Sequence, residues 1–254
     1  YGVRQAGKTF IVRECLKAAG CDYIEFNLIR QPEIVGILDG ATSVDDLILK
    51  LSLYSDQRII SGETFFFFDE IQKYKEIVTK IKFLVDDKRF RYILSGSLLG
   101  VEIVNLKSAP VGYLQTLNMY PLDFEEFLQI FNVGQPVLDM LRRAFTSKTP
   151  VDEVIHGKIM EMFNLYLIIG GMPECVASWI KYRDPARISR IQRELIEIYE
   201  NDFSKHNGKV NAGRLLMVFR SIVSQLAKPN EKFMYGAVRE GGRARDFEEA
   251  IEWL

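Results

Sequence analysis

The stretch TFFFFDE, Thr64 to Glu70, decides how the rest of the chain reads. Four consecutive phenylalanines, Phe65 to Phe68, leave no face for water. An apolar run this short, closed by two acids, fits a strand buried on both faces of a parallel sheet. Parallel neighbours need crossover connections, and the flanking sequence supplies them. KTFIVRECLKAAG (residues 8–20) places Ile11, Val12, Cys15, Leu16 and Ala19 on one helical face and stops at Gly20, a left-handed cap. DYIEFNL (22–28) is short and β-rich, VDDLILKLSLY (44–54) is helical, and IVTKIKFLV (77–85) is amphipathic. RYILSGS (91–97) and YLQTLNMYPL (113–122) are further apolar runs. Strand and helix alternate, which predicts a three-layer αβα core around a parallel sheet over residues 1–121.

After Pro121 the texture changes. Asp123 followed by Glu126 forms a capping-box pattern ahead of an apolar run, and helical periodicity persists to about residue 227. GGMPE (170–174) breaks that pattern, and ARISRIQRELIEIY (186–199) is a long amphipathic helix. Residues 122–228 are therefore expected to form a helical lid. The last stretch, KFMYGAVREGGRARDFEEAIEWL, reads as a strand, a Gly-Gly turn and a helix, the start of a winged-helix-like unit over 229–254. The chain begins at Tyr1 and closes inside a helical pattern, so both ends are expected to continue in a longer protein.

Composition narrows the function classes. Lys+Arg number 33 against 34 Asp+Glu, a net charge of −1, so the chain as a whole has no electrostatic pull toward nucleic acid or an anionic membrane. Three cysteines without a CxxC pair and two histidines, His156 and His206, argue for reduced thiols and against a structural zinc site. The absence of a membrane-length apolar run leads to the expectation of a cytoplasmic protein without membrane contact.

Upstream of the phenylalanine strand, Gly2-Val3-Arg4-Gln5-Ala6-Gly7-Lys8-Thr9 matches G-x-x-x-x-G-K-[ST] at every fixed position. Such a loop lets successive backbone N–H groups converge on phosphate oxygens at a helix N-terminus. The nucleotide-binding stretch is thus Gly2 to Phe10. Lys8 is expected to reach the β- and γ-phosphates of a bound nucleotide, and Thr9 to offer its hydroxyl to Mg²⁺. Asp69, at the end of the apolar strand, is the second expected metal-shell ligand, and Glu70 the group that activates an attacking water. The bland alternative, a buried strand ending in a solvated acidic turn, does not account for the phosphate loop upstream. A polar side chain at the tip of the neighbouring strand, Ser95 in preference to Ser97, could bond the γ-phosphate or the water. A Ser-Gly-Ser turn is equally ordinary turn chemistry. Of the arginines, Arg4 lies in the loop and Arg183, Arg187, Arg190, Arg193, Arg214, Arg220, Arg243 and Arg245 lie later, and none is singled out as a catalytic finger. His206 reads as a surface residue.

These segments, GVRQAGKT, FFFFDEIQ, ILSGS, YPLDFEEFL and GGMPE, resemble the AAA-type P-loop ATPases of bacteria and archaea that carry a C-terminal nuclease-like domain. The resemblance implies an additional-strand core, a helical lid and a winged helix, with Gly7, Lys8, Thr9, Asp69 and Glu70 in the roles above and ATP, rather than GTP, as the nucleotide. Many relatives have Gly-Arg where this chain has Pro110-Val111-Gly112-Tyr113, so no role is carried over for that arginine. A second reading stays open: a nucleotide-gated switch or DNA-associated adaptor with slow hydrolysis, acting through a C-terminal region with Arg239, Arg243 and Arg245; an oligomer stays open too, since an arginine supplied by a neighbour reads in sequence as a surface arginine.

Overall fold

The computed structural model describes residues 1–74, 76–96, 113–206, 208–227, 229 and 232–254, the side chains of 204–206 and 208–210 excepted. Ser97 and Pro110 to Gly112 lie outside the described residues, as does the His206 side chain. Two compact units emerge, Tyr1–Ala177 and Ser178–Leu254.

The first unit is built on a three-stranded parallel sheet in the order β1 (Tyr23–Asn27), β2 (Phe65–Asp69), β3 (Arg91–Leu94). Tyr23 pairs with Phe65 and Asn27 with Asp69 on one side of β2, while Phe65 to Phe68 pair with Arg91 to Leu94 on the other. The phenylalanine strand is therefore central, and Phe66, Phe67 and Phe68 are fully buried. Phe66 stacks with Phe26, Phe68 and Tyr92 and meets Phe90 edge-on, with ring centroids 5.2–6.3 Å apart. Helices α1 (Lys8–Ala18), α2 (Glu33–Asp39), α3 (Val44–Ser55) and α4 (Ile77–Asp86) form the connections. Ile34, Leu38, Leu51, Ile77, Val78 and Ile81 close the core around the sheet.

Two expectations are corrected here. The face predicted for α1 is mostly exposed, and Leu16 is its one buried residue. A bidentate pair ties the helix to β1 instead, with Arg13 Nε and Nη2 donating to Glu25 at 2.7 and 2.6 Å. The apolar run at 113–122 is not a full strand. Only Met119 bridges, in parallel, to Gly2, with Met119 N donating to Tyr1 O at 2.7 Å. Further along, Leu122 N donates to Gly171 O at 2.8 Å, so the run is held by separate contacts rather than by a ladder.

Helices α5 (Phe124–Ile130), α6 (Gln135–Ser147) and α7 (Glu153–Ile169) follow, and α8 (Pro173–Tyr182) carries the division between the units. The Asp123–Glu126 capping box forms reciprocally at 2.8 and 2.9 Å. Phe124 and Phe127 then pack on Phe163 and Tyr166 of α7, and the Tyr166 hydroxyl donates to Leu122 O at 2.8 Å. Gly170 and Gly171 interrupt the helical run, turning the chain by 115° between α7 and α8. Among the described residues no single helix is long and apolar enough to cross a membrane.

The second unit holds α9 (Pro185–His206), α10 (Gly208–Leu226), α11 (Tyr235–Val238) and α12 (Ala244–Trp253) around Phe203, Leu215, Val218, Phe247 and Ala250. Arg220 reaches from α10 to Glu200 of α9 in a bidentate pair at 2.8 and 2.9 Å. The strand expected before the Gly-Gly turn is instead the single helical turn α11. Its approach needs no partner strand, because the Gln225 side-chain amide accepts from Met234 N at 3.1 Å and donates to Met234 O at 2.9 Å. No strand occurs among the described residues of this unit.

Candidate functional site

The loop from Gly2 to Gly7 leads into α1 without a side-chain cap; Ile11 N donates to Gly7 O at 2.9 Å, and the N–H groups of Lys8, Thr9 and Phe10 precede that first i−4 bond, as at the start of any helix. Two glycines are required by geometry. A side chain at Gly2 would meet Met119 O at 2.0 Å, and Gly7 adopts φ 91°, ψ 13° as it turns the chain into the helix. Around Gly7, the space a side chain would enter is bounded by Met119 Cε at 3.5 Å and Pro173 Cγ at 3.7 Å. The GGMPE break therefore lies against the loop, which sequence proximity alone could not reveal.

Lys8 curls over its own loop. Its Nζ donates to Gly2 O at 2.9 Å and Val3 O at 2.7 Å. Burial pulls this ammonium below the ordinary lysine range; the carboxylates of Glu70 and Asp69 oppose the shift and Arg4 adds to it. Ala6 is buried, whereas Val3 is 43% exposed and Phe10, pointing away on α1, is 66% exposed.

The strand ends face this loop. Thr9 Oγ1 donates to Asp69 Oδ2 at 3.0 Å, although 60 residues separate them in sequence. Asp69 is only 3% exposed, and the same oxygen accepts from Asn27 Nδ2 at 3.2 Å. Asn27 also accepts from Ile29 N and Arg30 N through its Oδ1, at 3.1 and 3.0 Å, so the turn after β1 aims its amide at Asp69. Sequence reasoning missed Asn27. Its signal was a polar residue closing a β-rich run, meaningful only once the register set it opposite Asp69.

Glu70 takes a left-handed conformation, φ 60° and ψ 39°, unusual for a residue other than glycine or asparagine. It starts a short 3₁₀ turn, Ile71–Lys73, pinned to the next strand end by Ile71 N donating to Ser95 O at 3.1 Å. Ser95 N in turn donates to Phe68 O at 2.9 Å. The Ser95 hydroxyl is buried, 4% exposed as a residue, and has no hydrogen-bond partner among the described residues. An orphaned donor at a strand tip fits a group that bonds a ligand. Lys8, Thr9, Asp69 and Glu70 thus come together at one end of the sheet, with Ser95 at the neighbouring strand tip.

The same residues suit a nucleotide with Mg²⁺. The ion keeps several waters and takes few protein ligands, and a hydroxyl with a carboxylate 3.0 Å apart is a donor set of that kind. Among the described residues no cluster of three His, Cys, Asp or Glu side chains could hold a metal alone.

A phosphate loop feeding a helix, paired with an acid-tipped central strand, defines a P-loop ATPase. The chain belongs to the AAA domain family, whose model matches residues 1–128. A domain of unknown function, DUF8612, matches residues 160–254. Among solved structures, a Walker-type ATPase of Pyrococcus abyssi is similar over 100% of this chain and 82% of its own, at 14% identity and a TM-score of 0.56. That likeness bears on the fold. The Aeropyrum pernix ORC1 protein in complex with DNA aligns over 99% of this chain and 70% of its own, at 15% identity, with a TM-score of 0.35, too loose to bear on either fold or partner. No curated protein matches the chain.

Proposed function

We propose that this AAA-type chain binds ATP with Mg²⁺ at the end of its sheet and hydrolyses it there, the helices after Pro121 responding to the change of nucleotide. The observation that carries the reading is the 3.0 Å bond from Thr9 Oγ1 to Asp69 Oδ2, which joins the phosphate loop to the strand end. The loop N–H groups and Lys8 bind the β- and γ-phosphates, Lys8 exchanging Gly2 O and Val3 O for phosphate oxygens. Thr9 and Asp69 would hold Mg²⁺, directly or through water, and the bound ion supplies neutralisation of charge on the phosphates. Asn27 orients Asp69 through the bond to Oδ2. Glu70 accepts a proton from the water that attacks the γ-phosphate, and the Ser95 hydroxyl donates to the same phosphate or water.

The test is ATP hydrolysis by the purified chain beside Glu70→Gln, with ATP binding measured for both. Glu70→Gln is expected to bind ATP as the wild type does and to lose turnover by roughly 100-fold or more. Undiminished hydrolysis by the variant would remove Glu70 from its role. Binding without turnover in both proteins would replace the hydrolytic reading with that of a nucleotide switch.

A further inference from the structure

Gln72 is part of the 3₁₀ turn after the acid pair, and its chemistry is unlike that of a residue placed for packing. It is 8% exposed, and its Nε2 donates to Glu70 Oε2. Its Oε1 is buried with no partner among the described residues. The bond to a carboxylate settles which end of the amide is which, since a carbonyl oxygen there would oppose another acceptor. A buried amide left half-satisfied costs stability, by the full desolvation of the unpaired oxygen. An apolar residue of similar shape would avoid that cost.

The turn that carries Gln72 is held on three sides. Ile71 is fully buried and donates to Ser95 O, Lys73 N donates to Glu70 O at 3.1 Å, and Tyr74 N donates to Ile71 O at 2.9 Å. The Tyr74 hydroxyl reaches Asp39 Oδ1 at 3.0 Å, anchoring the far end of the turn to the close of α2. The Glu70 backbone is in turn forced left-handed. Such strain persists only where the surroundings over-determine it. Here the backbone aims the Glu70 side chain from one end and the Gln72 amide grips it from the other.

From this geometry we propose that Gln72 is a positioning residue for Glu70. Its Nε2–H holds one carboxylate oxygen, leaving the other to take the proton of the attacking water. The inference rests on the hydrolytic reading for its consequence in turnover, but the contact itself is measurable without turnover.

Gln72→Met keeps the length of the side chain and removes both the donor and the orphaned acceptor. The expected result is a fall in kcat of roughly tenfold or more, with KM and ATP affinity unchanged and a thermal midpoint no lower than that of the wild type. A residue placed only for packing would lower the thermal midpoint or ATP affinity instead. The second readout needs no turnover. In ¹⁵N-labelled protein without nucleotide, the Gln72 side-chain amide resonance, assigned by its loss in Gln72→Met, should shift in Glu70→Ala.

Normal kcat in Gln72→Met, in a wild type that hydrolyses ATP, overturns the inference and leaves the ATPase reading intact. A kcat loss accompanied by lost affinity or stability overturns it too, in favour of packing. Should the wild type bind ATP without hydrolysing it, the hydrolytic reading fails separately. The resonance then decides: a Gln72 amide indifferent to Glu70→Ala disproves the grip, and a shifted one upholds it.

Discussion

At the strand ends, Asp69 is nearly sealed from water and held by two donors from two other elements, Thr9 of α1 and Asn27 of β1. Across the site, the phosphate loop leaves Val3 and Gln5 exposed, and its lysine spends both observed bonds on carbonyls of the loop itself. One side is therefore preorganised, its carboxylate already aimed by neighbours that packing keeps in place. The other must exchange its internal bonds for those to phosphate. The difference teaches where binding energy goes: the strand side sets geometry at no further cost, while ordering of the loop is left to the ligand.

The largest expected effect comes from breaking the strand side at its base. Phe66 lies at the centre of the sheet, stacked or edge-on to four rings, and Phe66→Ala should destabilise the first unit by about 3–5 kcal/mol. Urea unfolding followed by tryptophan-independent circular dichroism measures it. ATP binding should disappear over the same urea range as the fold, because Asp69 and its partner Asn27 are carried at the ends of strands that this core holds together. Retention of a native urea midpoint would show that the strand side is not built as described.

Lys8→Ala breaks the loop side alone. Its two acceptors are solvent-reachable carbonyls of a loop, so folding should be untouched. ATP affinity should fall on the order of 100-fold, the loss of charge-assisted bonds to two phosphates. Calorimetric titration with ATP checks it, and an equal fall in thermal stability would mean that the loop is as structural as the strands. Together these two variants separate the halves: one removes the fold and with it binding, the other removes binding and keeps the fold.

How much of this was legible in the sequence follows from where each cause lies. The phenylalanine run, the cap at Asp123 and the helix after Lys8 depend on neighbours within a few residues, and all three form. The strand expected before the Gly-Gly turn and that at 113–122 depended on partners elsewhere in the chain. Gln225 took the place of a partner at Met234, and the 113–122 run makes a single bridge, Met119 to Gly2. The same reasoning explains the site. Lys8, Thr9, Asp69 and Glu70 announce themselves through local motifs. Asn27 and Gln72 are ordinary amides in sequence, given a role only by register and by a left-handed turn.

Asn27 offers the smallest and most discriminating effect. Its amide does two things: Nδ2 steadies Asp69, and Oδ1 closes the turn through Ile29 N and Arg30 N. Asn27→Ala removes both, so a change in behaviour could come from either. Asn27→Asp keeps an acceptor for the turn and replaces the donor with a carboxylate facing Asp69. If the preorganisation of the strand side comes from the donor, Asn27→Asp should raise the Mg²⁺ concentration needed for ATP binding by at least the roughly fivefold that loss of a 1 kcal/mol hydrogen bond implies. Its thermal midpoint should meanwhile stay closer to wild type than that of Asn27→Ala. If instead Asn27→Asp keeps the wild-type Mg²⁺ requirement while Asn27→Ala does not, the turn rather than the amide holds Asp69 in place. The contrast between a prebuilt strand side and a ligand-ordered loop would then rest on backbone alone.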